Sequence, residues 1–252
     1  MNIELEDLNL GIEVEGAFSK SIVNSLGDKS GEFCGDGSVS SQLRYIIQDT
    51  YGKECASGVG EFNTKIIKQE EVKKILSNFQ KPDFACDNSC GLHLHISIDD
   101  LDYKTLWGVA SDWEFLKKVK KFAIANFGEK QLERSQSGQY GRYSADYIDK
   151  FDLIRSSTEK NRDEKYRIVR FHNEYKTLEW RFFAMYDDPK INIKNINMFL
   201  GLFLEQINSE KKYSKKHSVY IKDDVMCSDY RVNIGKLNVE QEYNQKITLR
   251  RI

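Results

Sequence analysis

An α+β domain, built as a mainly antiparallel sheet with helices packed on its apolar face, is the fold class this sequence predicts. Three observations carry the prediction. First, Leu8 to Glu15, Gly91 to Ile98 and Thr177 to Phe182 alternate strictly, with apolar residues at even positions. The odd positions carry Glu13-x-Glu15, His93-x-His95 and Glu179-x-Arg181. Period-two alternation marks a strand with one buried and one open face. Second, Lys165 to Asn173 and Tyr175 to Phe183 read as two strands joined by a short turn. Third, apolar residues recur at helical spacing in Gln69 to Gln80, Leu101 to Phe127 and Pro189 to Asn208.

Taken in order, the first strand is followed by a Gly/Ser/Asp-rich stretch, Phe18 to Ser41, that reads as loop and turn with short strands. Within it, Asp36-Gly37-Ser38 is a turn. The polar segment Gly52 to Glu61 holds another strand ending in a loop. Next, Val72, Ile75, Leu76 and Phe79 form one helical face, stopped by Pro82. The His strand follows. Residues 101–127 predict a long helical region broken near Gly108, with Leu106, Val109, Trp113, Leu116 and Phe127 toward the core. Lys117, Lys118, Lys120 and Lys121 read as a solvated face. Gln131 to Tyr147, polar and tyrosine-rich, predicts an ordered loop. Asp188-Pro189 is a helix start; its buried face is Ile193, Ile196, Leu200, Phe203, Leu204 and Ile207. Residues 1–208 are read as one domain and 209–252 as a C-terminal extension packed on it.

The totals narrow the function classes. A chain of 252 residues with 40% hydrophobic and 31% charged content suits a soluble globular protein with a real core. Net charge is −1, so no global field favours nucleic acid or an anionic membrane. No apolar run is long enough to span a bilayer, and the acidic start does not resemble a signal peptide. Five cysteines without scaffold spacing predict reduced thiols in a cytoplasmic protein.

The odd-numbered face poses a charge problem. Glu13 and Glu15 point the same way, roughly 7 Å apart at the backbone. With Glu179 added from another strand, each carboxylate pair at about 5 Å costs roughly 3 kcal/mol at an effective dielectric near 20. Such a cluster needs cations. Arg181 is one; oxygen ligands with one or two imidazoles suit Mg²⁺ or Mn²⁺. Each pair alone is commonly a surface pair or a cross-strand salt bridge. Their agreement in phase and chemistry is the signal.

In order along the chain, Gly11-Ile12-Glu13-Val14-Glu15, Asp36-Gly37-Ser38, Glu54-Cys55-Ala56-Ser57, Cys90-Gly91-Leu92-His93-Leu94-His95-Ile96 and Lys176-Thr177-Leu178-Glu179-Trp180-Arg181-Phe182-Phe183 resemble the amidoligase family. That family is similar to the carboxylate–amine ligases that include glutamine synthetase and glutamate–cysteine ligase. The resemblance spans about Leu8 to Ile207, and the His-x-His and Thr-x-Glu-x-Arg blocks are its specific parts. It implies a glutamine-synthetase-like catalytic domain with a curved sheet, ATP and Mg²⁺ (or Mn²⁺) as cofactors, and a carboxylate and an amine as substrates, small molecules or peptides. An amide would form through an acyl phosphate. By the same resemblance Glu13, Glu15, Glu54, His93 and Glu179 are metal ligands, Glu13 and Glu15 to different ions. His95 and Arg181 address phosphate, and Arg167 and Arg170 could hold ATP phosphates. Glu61, Asp36 and Ser38 stay open as additional members. The chain departs from the family at Ser57-Gly58, where Ser-Pro is common.

Two alternatives use the same residues: a metal-dependent hydrolase or phosphotransferase, and a non-catalytic domain that binds nucleotide or a partner. Cys86 and Cys90 with His93 and His95 offer a zinc reading. Cys34 and Cys55 read as buried small residues, and His172 and His217 carry no motif.

Overall fold

The three alternating stretches become neighbouring strands. The computed structural model describes residues 2–47, 59–99, 101, 103–110, 112–126, 128, 168–172 and 176–210. Glu54, Cys55, Arg167, His217, the Gln131–Tyr147 loop and the chain beyond 210 lie outside them. Among the described residues seven strands form one sheet: β1 (Leu8–Phe18), β2 (Gly31–Gly35), β3 (Gly60–Thr64), β4 (Phe84–Ala85), β5 (Gly91–Ile98), β6 (Val169–His172) and β7 (Thr177–Ala184). The order is β2-β3-β1-β5-β7-β6, with β4 pairing the end of β1, and every pairing is antiparallel. The fold is thus α+β with an antiparallel sheet, as the alternation predicts.

Register sorts the faces. Leu8, Leu10, Ile12 and Val14 of β1, Leu92, Leu94 and Ile96 of β5, and Leu178, Trp180 and Phe182 of β7 are all buried. Among the described residues the α-helices are α1 (Lys20–Ser30), α2 (Gln69–Leu76), α3 (Tyr103–Ala110), α4 (Trp113–Asn126) and α5 (Pro189–Glu210). Helix α5 packs against α2, α3 and α4. Its Phe199 lies 4.8 Å from the Trp180 ring, and Phe115 of α4 lies 5.9 Å away, edge-on. Aromatic pairs at such distances add about 0.5–1.5 kcal/mol beyond area burial. The start of α5 is as expected, with Asp188 accepting from the Lys190 N–H at 2.9 Å and Pro189 at the first position. Phe199 joins its buried face, while Ile193 and Leu204 are only partly buried.

Three local expectations change. The stretch after β1, expected as loop, contains α1. Ser19 caps it by accepting from the Ile22 N–H at 3.2 Å, and Ile22 and Leu26 supply a buried i,i+4 pair. A break at Gly27, φ +39°, keeps its polar end from reading as a regular helix. The long helical region divides at Asp112 rather than Gly108, because Asp112 caps α4 by accepting from the Phe115 N–H at 2.8 Å. The side chains of Trp113 and Phe127 lie outside the described ones, whereas Leu106, Val109 and Leu116 are buried as expected. Finally, β7 carries a bulge. Leu92 pairs Phe183 and Leu94 pairs Trp180, so one extra β7 residue stands opposite His93. Among the described residues no helix is long and apolar enough to cross a membrane.

Candidate metal centre

Adjacent strands in antiparallel register put their odd-numbered residues side by side. Glu13 pairs His93 on one side and Asn63 on the other, and Glu15 pairs Glu61. His95 pairs Gly11 and Glu179, and Glu179 pairs Arg170. Directly paired residues bring their Cβ atoms to about 4.5–5.5 Å, so these side chains meet. The pooling expected from the alternation is what the register produces.

Two groups of oxygen and nitrogen donors result. In the first, Glu13, His95 and Glu179 bring ligand atoms within 4.8 Å of one another; in the second, Glu15, Asp36 and Glu61 do the same. Glu13 and Glu15 thereby fall into different groups. Glu13 Oε1 lies 2.8 Å from His95 Nε2, and its Oε2 lies 2.7 Å from His93 Nδ1. Thr177 Oγ1 holds the other His95 nitrogen at 3.0 Å. Glu15 accepts a short hydrogen bond from the Gly91 N–H, and its Oε1 is 3.6 Å from His93 Nε2.

Glu179 is fully buried, and both its oxygens receive short guanidinium hydrogen bonds, Oε2 from Arg170 and Oε1 from Arg181. The β7 bulge sits at Arg181, and such bulges re-aim side chains. Burial pushes the Glu179 carboxyl up, but the charges of Arg181 and Arg170 outweigh it and hold the group well below the usual carboxylate range. For Glu13 burial again acts upward, and the hydrogen bonds from His93 and His95 more than offset it. Glu61 goes the other way. Burial, then the charges of Glu13 and Asp36, raise it despite a 2.9 Å hydrogen bond from Asn63 Nδ2. Within the second group Glu61 is thus the carboxylate least compensated by positive charge.

The groups open on a cleft of about 870 Å³ lined by Glu13, Glu15, Asp36, Glu61, His95 and Arg181 among others. His93, 1% exposed, is not part of the lining. Asp36 is shaped by its own turn: its carboxylate accepts from the Ser38 N–H at 2.8 Å and the Ser38 hydroxyl at 2.6 Å. Ser38 thus orients Asp36.

The donor chemistry fits hard divalent cations. Carboxylate oxygens dominate, one imidazole joins them, and Asn63 Oδ1 is a buried acceptor with no hydrogen-bond partner among the described residues. A zinc set does not converge. No described metal-capable group contains a cysteine. Cys86 Sγ points to the Met185 carbonyl at 3.3 Å, and burial pushes the Cys90 thiol far up, against thiolate formation.

Of the residues singled out from sequence, Glu13, Glu15, His93, His95, Glu179, Arg181 and Arg170 come together, whereas Glu54 and Arg167 lie outside the described residues. Asp36 and Glu61, left open, join the second group. Sequence reasoning misses Thr177 and Asn63, although each sits two residues from a site carboxylate on the same strand face. No protein-family model matches the chain, and no curated protein is detectably similar to it.

Proposed function

We propose that this protein is an ATP- and Mg²⁺-dependent carboxylate–amine ligase with a glutamine-synthetase-like catalytic domain. The observation that carries the reading is the pair of carboxylate groups, Glu13–His95–Glu179 and Glu15–Asp36–Glu61, side by side on one sheet face and flanked by Arg170 and Arg181. The order of the Glu-x-Glu, His-x-His and Glu-x-Arg blocks adds to it. Mn²⁺ in place of Mg²⁺ suits the imidazole in the first group.

Divalent cations held by the two groups would neutralise charge on the phosphates of ATP and on the acceptor carboxylate. The chain's own residues do the rest. Glu13 and Glu179, held ionised, are ready to bind a cation at neutral pH. Arg181, half-buried on the cleft wall, is kept charged by Glu179 and is placed to meet phosphate oxygens as phosphoryl transfer proceeds. A substrate carboxylate oxygen forms a bond to the γ-phosphorus, the bond to the bridging oxygen breaks, and ADP leaves. The amine nitrogen then attacks the acyl carbon, loses a proton, and phosphate departs with one oxygen of the original carboxylate. The cleft is wide enough for nucleotide phosphates and a small second substrate.

The test is phosphate release by purified protein given ATP, Mg²⁺ and pooled carboxylic acids, amines and peptides. Release is expected only when both co-substrates are present, with ¹⁸O from a labelled carboxylate appearing in the phosphate. Turnover of ATP or phosphate esters without an amine would instead favour a hydrolase or phosphotransferase. Failure to bind nucleotide in Mg²⁺ would sink the proposal.

A further inference from the structure

We infer that His93 and His95 depart from the duties the resemblance implies, metal ligand for His93 and phosphate contact for His95: here His95 donates to a cation and His93 is a positioning residue that braces the two carboxylate groups. The inference rests on the two-cation reading above and goes beyond it in assigning the imidazoles.

The ring of His93 touches one carboxylate of each group, with Nδ1 at 2.7 Å from Glu13 Oε2 and Nε2 at 3.6 Å from Glu15 Oε1. Its side chain is 2% exposed, and the ring is absent from the cleft wall. Both ring nitrogens thus face protein oxygens below the cleft floor. Glu13 and Glu15 point the same way from one strand, and an imidazole wedged between them fixes their spacing.

His95 is arranged differently. It lines the cleft, and Thr177 Oγ1 engages its Nδ1 at 3.0 Å. A ligating histidine commonly has its second nitrogen held in this way, which sets the tautomer and aims the first. That first nitrogen, Nε2, lies 2.8 Å from Glu13 Oε1, and a ring nitrogen of His95 lies within 4.8 Å of a Glu179 oxygen. In the tautomer whose Nδ1–H donates to Thr177 Oγ1, Nε2 would exchange its hydrogen bond to Oε1 for a cation held between the two atoms.

The bulge in β7 separates the two environments. His95 keeps regular pairing with Glu179, whereas His93 faces the extra residue and has no single partner on β7. His93 Nδ1 accordingly stays 3.8 Å from Glu179 Oε1.

The test uses Mn²⁺ alone, by titration and by pulsed electron paramagnetic resonance, which detects an imidazole nitrogen coupled to the bound ion. The wild type is expected to show that coupling. His93→Gln should keep it while binding Mn²⁺ about 10- to 100-fold more weakly, the range for losing an outer partner of a metal ligand. His95→Asn should lose the coupling. Coupling lost in His93→Gln and kept in His95→Asn overturns the assignment, as does wild-type affinity in His93→Gln. Should His93→Gln fail to fold, His95→Asn decides alone, because surviving coupling there would make His93 the ligand. A wild type that binds no Mn²⁺ overturns the assignment together with the two-cation reading, and is distinguishable because the unmutated protein already fails.

Discussion

Replacing Glu61 with glutamine is expected to stabilise the metal-free protein and weaken its response to metal. The ligand oxygens of Glu15, Asp36 and Glu61 lie within 4.8 Å of one another. At that separation two unit charges repel by about 3.5 kcal/mol at an effective dielectric of 20, and by about 1 kcal/mol in water. Glu61 is half-buried on an open cleft, so its two neighbours act between these limits. Screening and side-chain relaxation reduce the expected net gain to about 1–2 kcal/mol, or about 2–8 °C in Tm. Glutamine keeps an oxygen to accept from Asn63 Nδ2, so the hydrogen bond is not at issue. The sign of the pH dependence follows from the direction of the shift. Burial and then the Glu13 and Asp36 charges raise the folded-state Glu61 carboxyl above its ordinary value of 4.5. The penalty is therefore present above that raised value and gone below 4.5, and the gap between variant and wild type should close as pH falls. Mn²⁺ at about 100 times its dissociation constant would stabilise the wild type by about 2.7 kcal/mol. The variant, missing a ligand, should gain less, so its lead over the wild type should shrink. Calorimetry with and without Mn²⁺ measures both effects. A lower metal-free Tm in Glu61→Gln, or equal metal-induced shifts, would refute the reasoning.

Other outcomes follow from the same geometry. Glu179→Gln removes the buried partner of two guanidiniums and should cost about 3–5 kcal/mol in urea unfolding; an unchanged midpoint would show the pairing contributes nothing. The wild type should also lose stability as pH falls below 4.5, because Glu13 and Glu179 are held low in the fold and their contribution, full above that value, is lost progressively as pH falls toward their folded-state values. Acid titration of wild type against Glu179→Gln reads the difference. Thr177→Val should weaken Mn²⁺ binding about 10-fold by freeing His95 Nδ1, and calorimetric titration giving wild-type affinity would remove Thr177 from the site. Gly11→Ala puts a Cβ 3.3 Å from the His95 Cβ, so the ring must shift by a few tenths of an ångström. Mn²⁺ affinity should fall while the unfolding midpoint barely moves, and a normal affinity would mean the ring tolerates displacement.

Alternation alone makes the centre of this site legible in the sequence. Leu8 to Val14, Leu92 to Ile96 and Leu178 to Phe182 each declare an inner face, and the odd residues between them have to share the outer one. What alternation does not carry is which strands are neighbours. Asp36 and Glu61 reach Glu15 only because β3 pairs β1 and β2 pairs β3, and those pairings are tertiary. The two histidines sit in one phase on one strand, so nothing local separates them; the β7 bulge does, and its only trace is the adjacent buried pair Phe182 and Phe183. Helix α1 is hidden by its polar face and by Gly27, although Ile22 and Leu26 hold its helical spacing.

The pairing of β1 with β5 has a kinetic consequence. Glu13 meets His93 and His95 across 80 and 82 residues of chain, and His95 meets Thr177 across another 82. Contacts so distant in sequence pay loop-closure entropy before they return any stability, so they form late. No fragment lacking β1, β5 or β7 can hold the first donor group. A ligand for this cleft can select only chains whose central strands have already met, and its uptake during refolding would time that last closure.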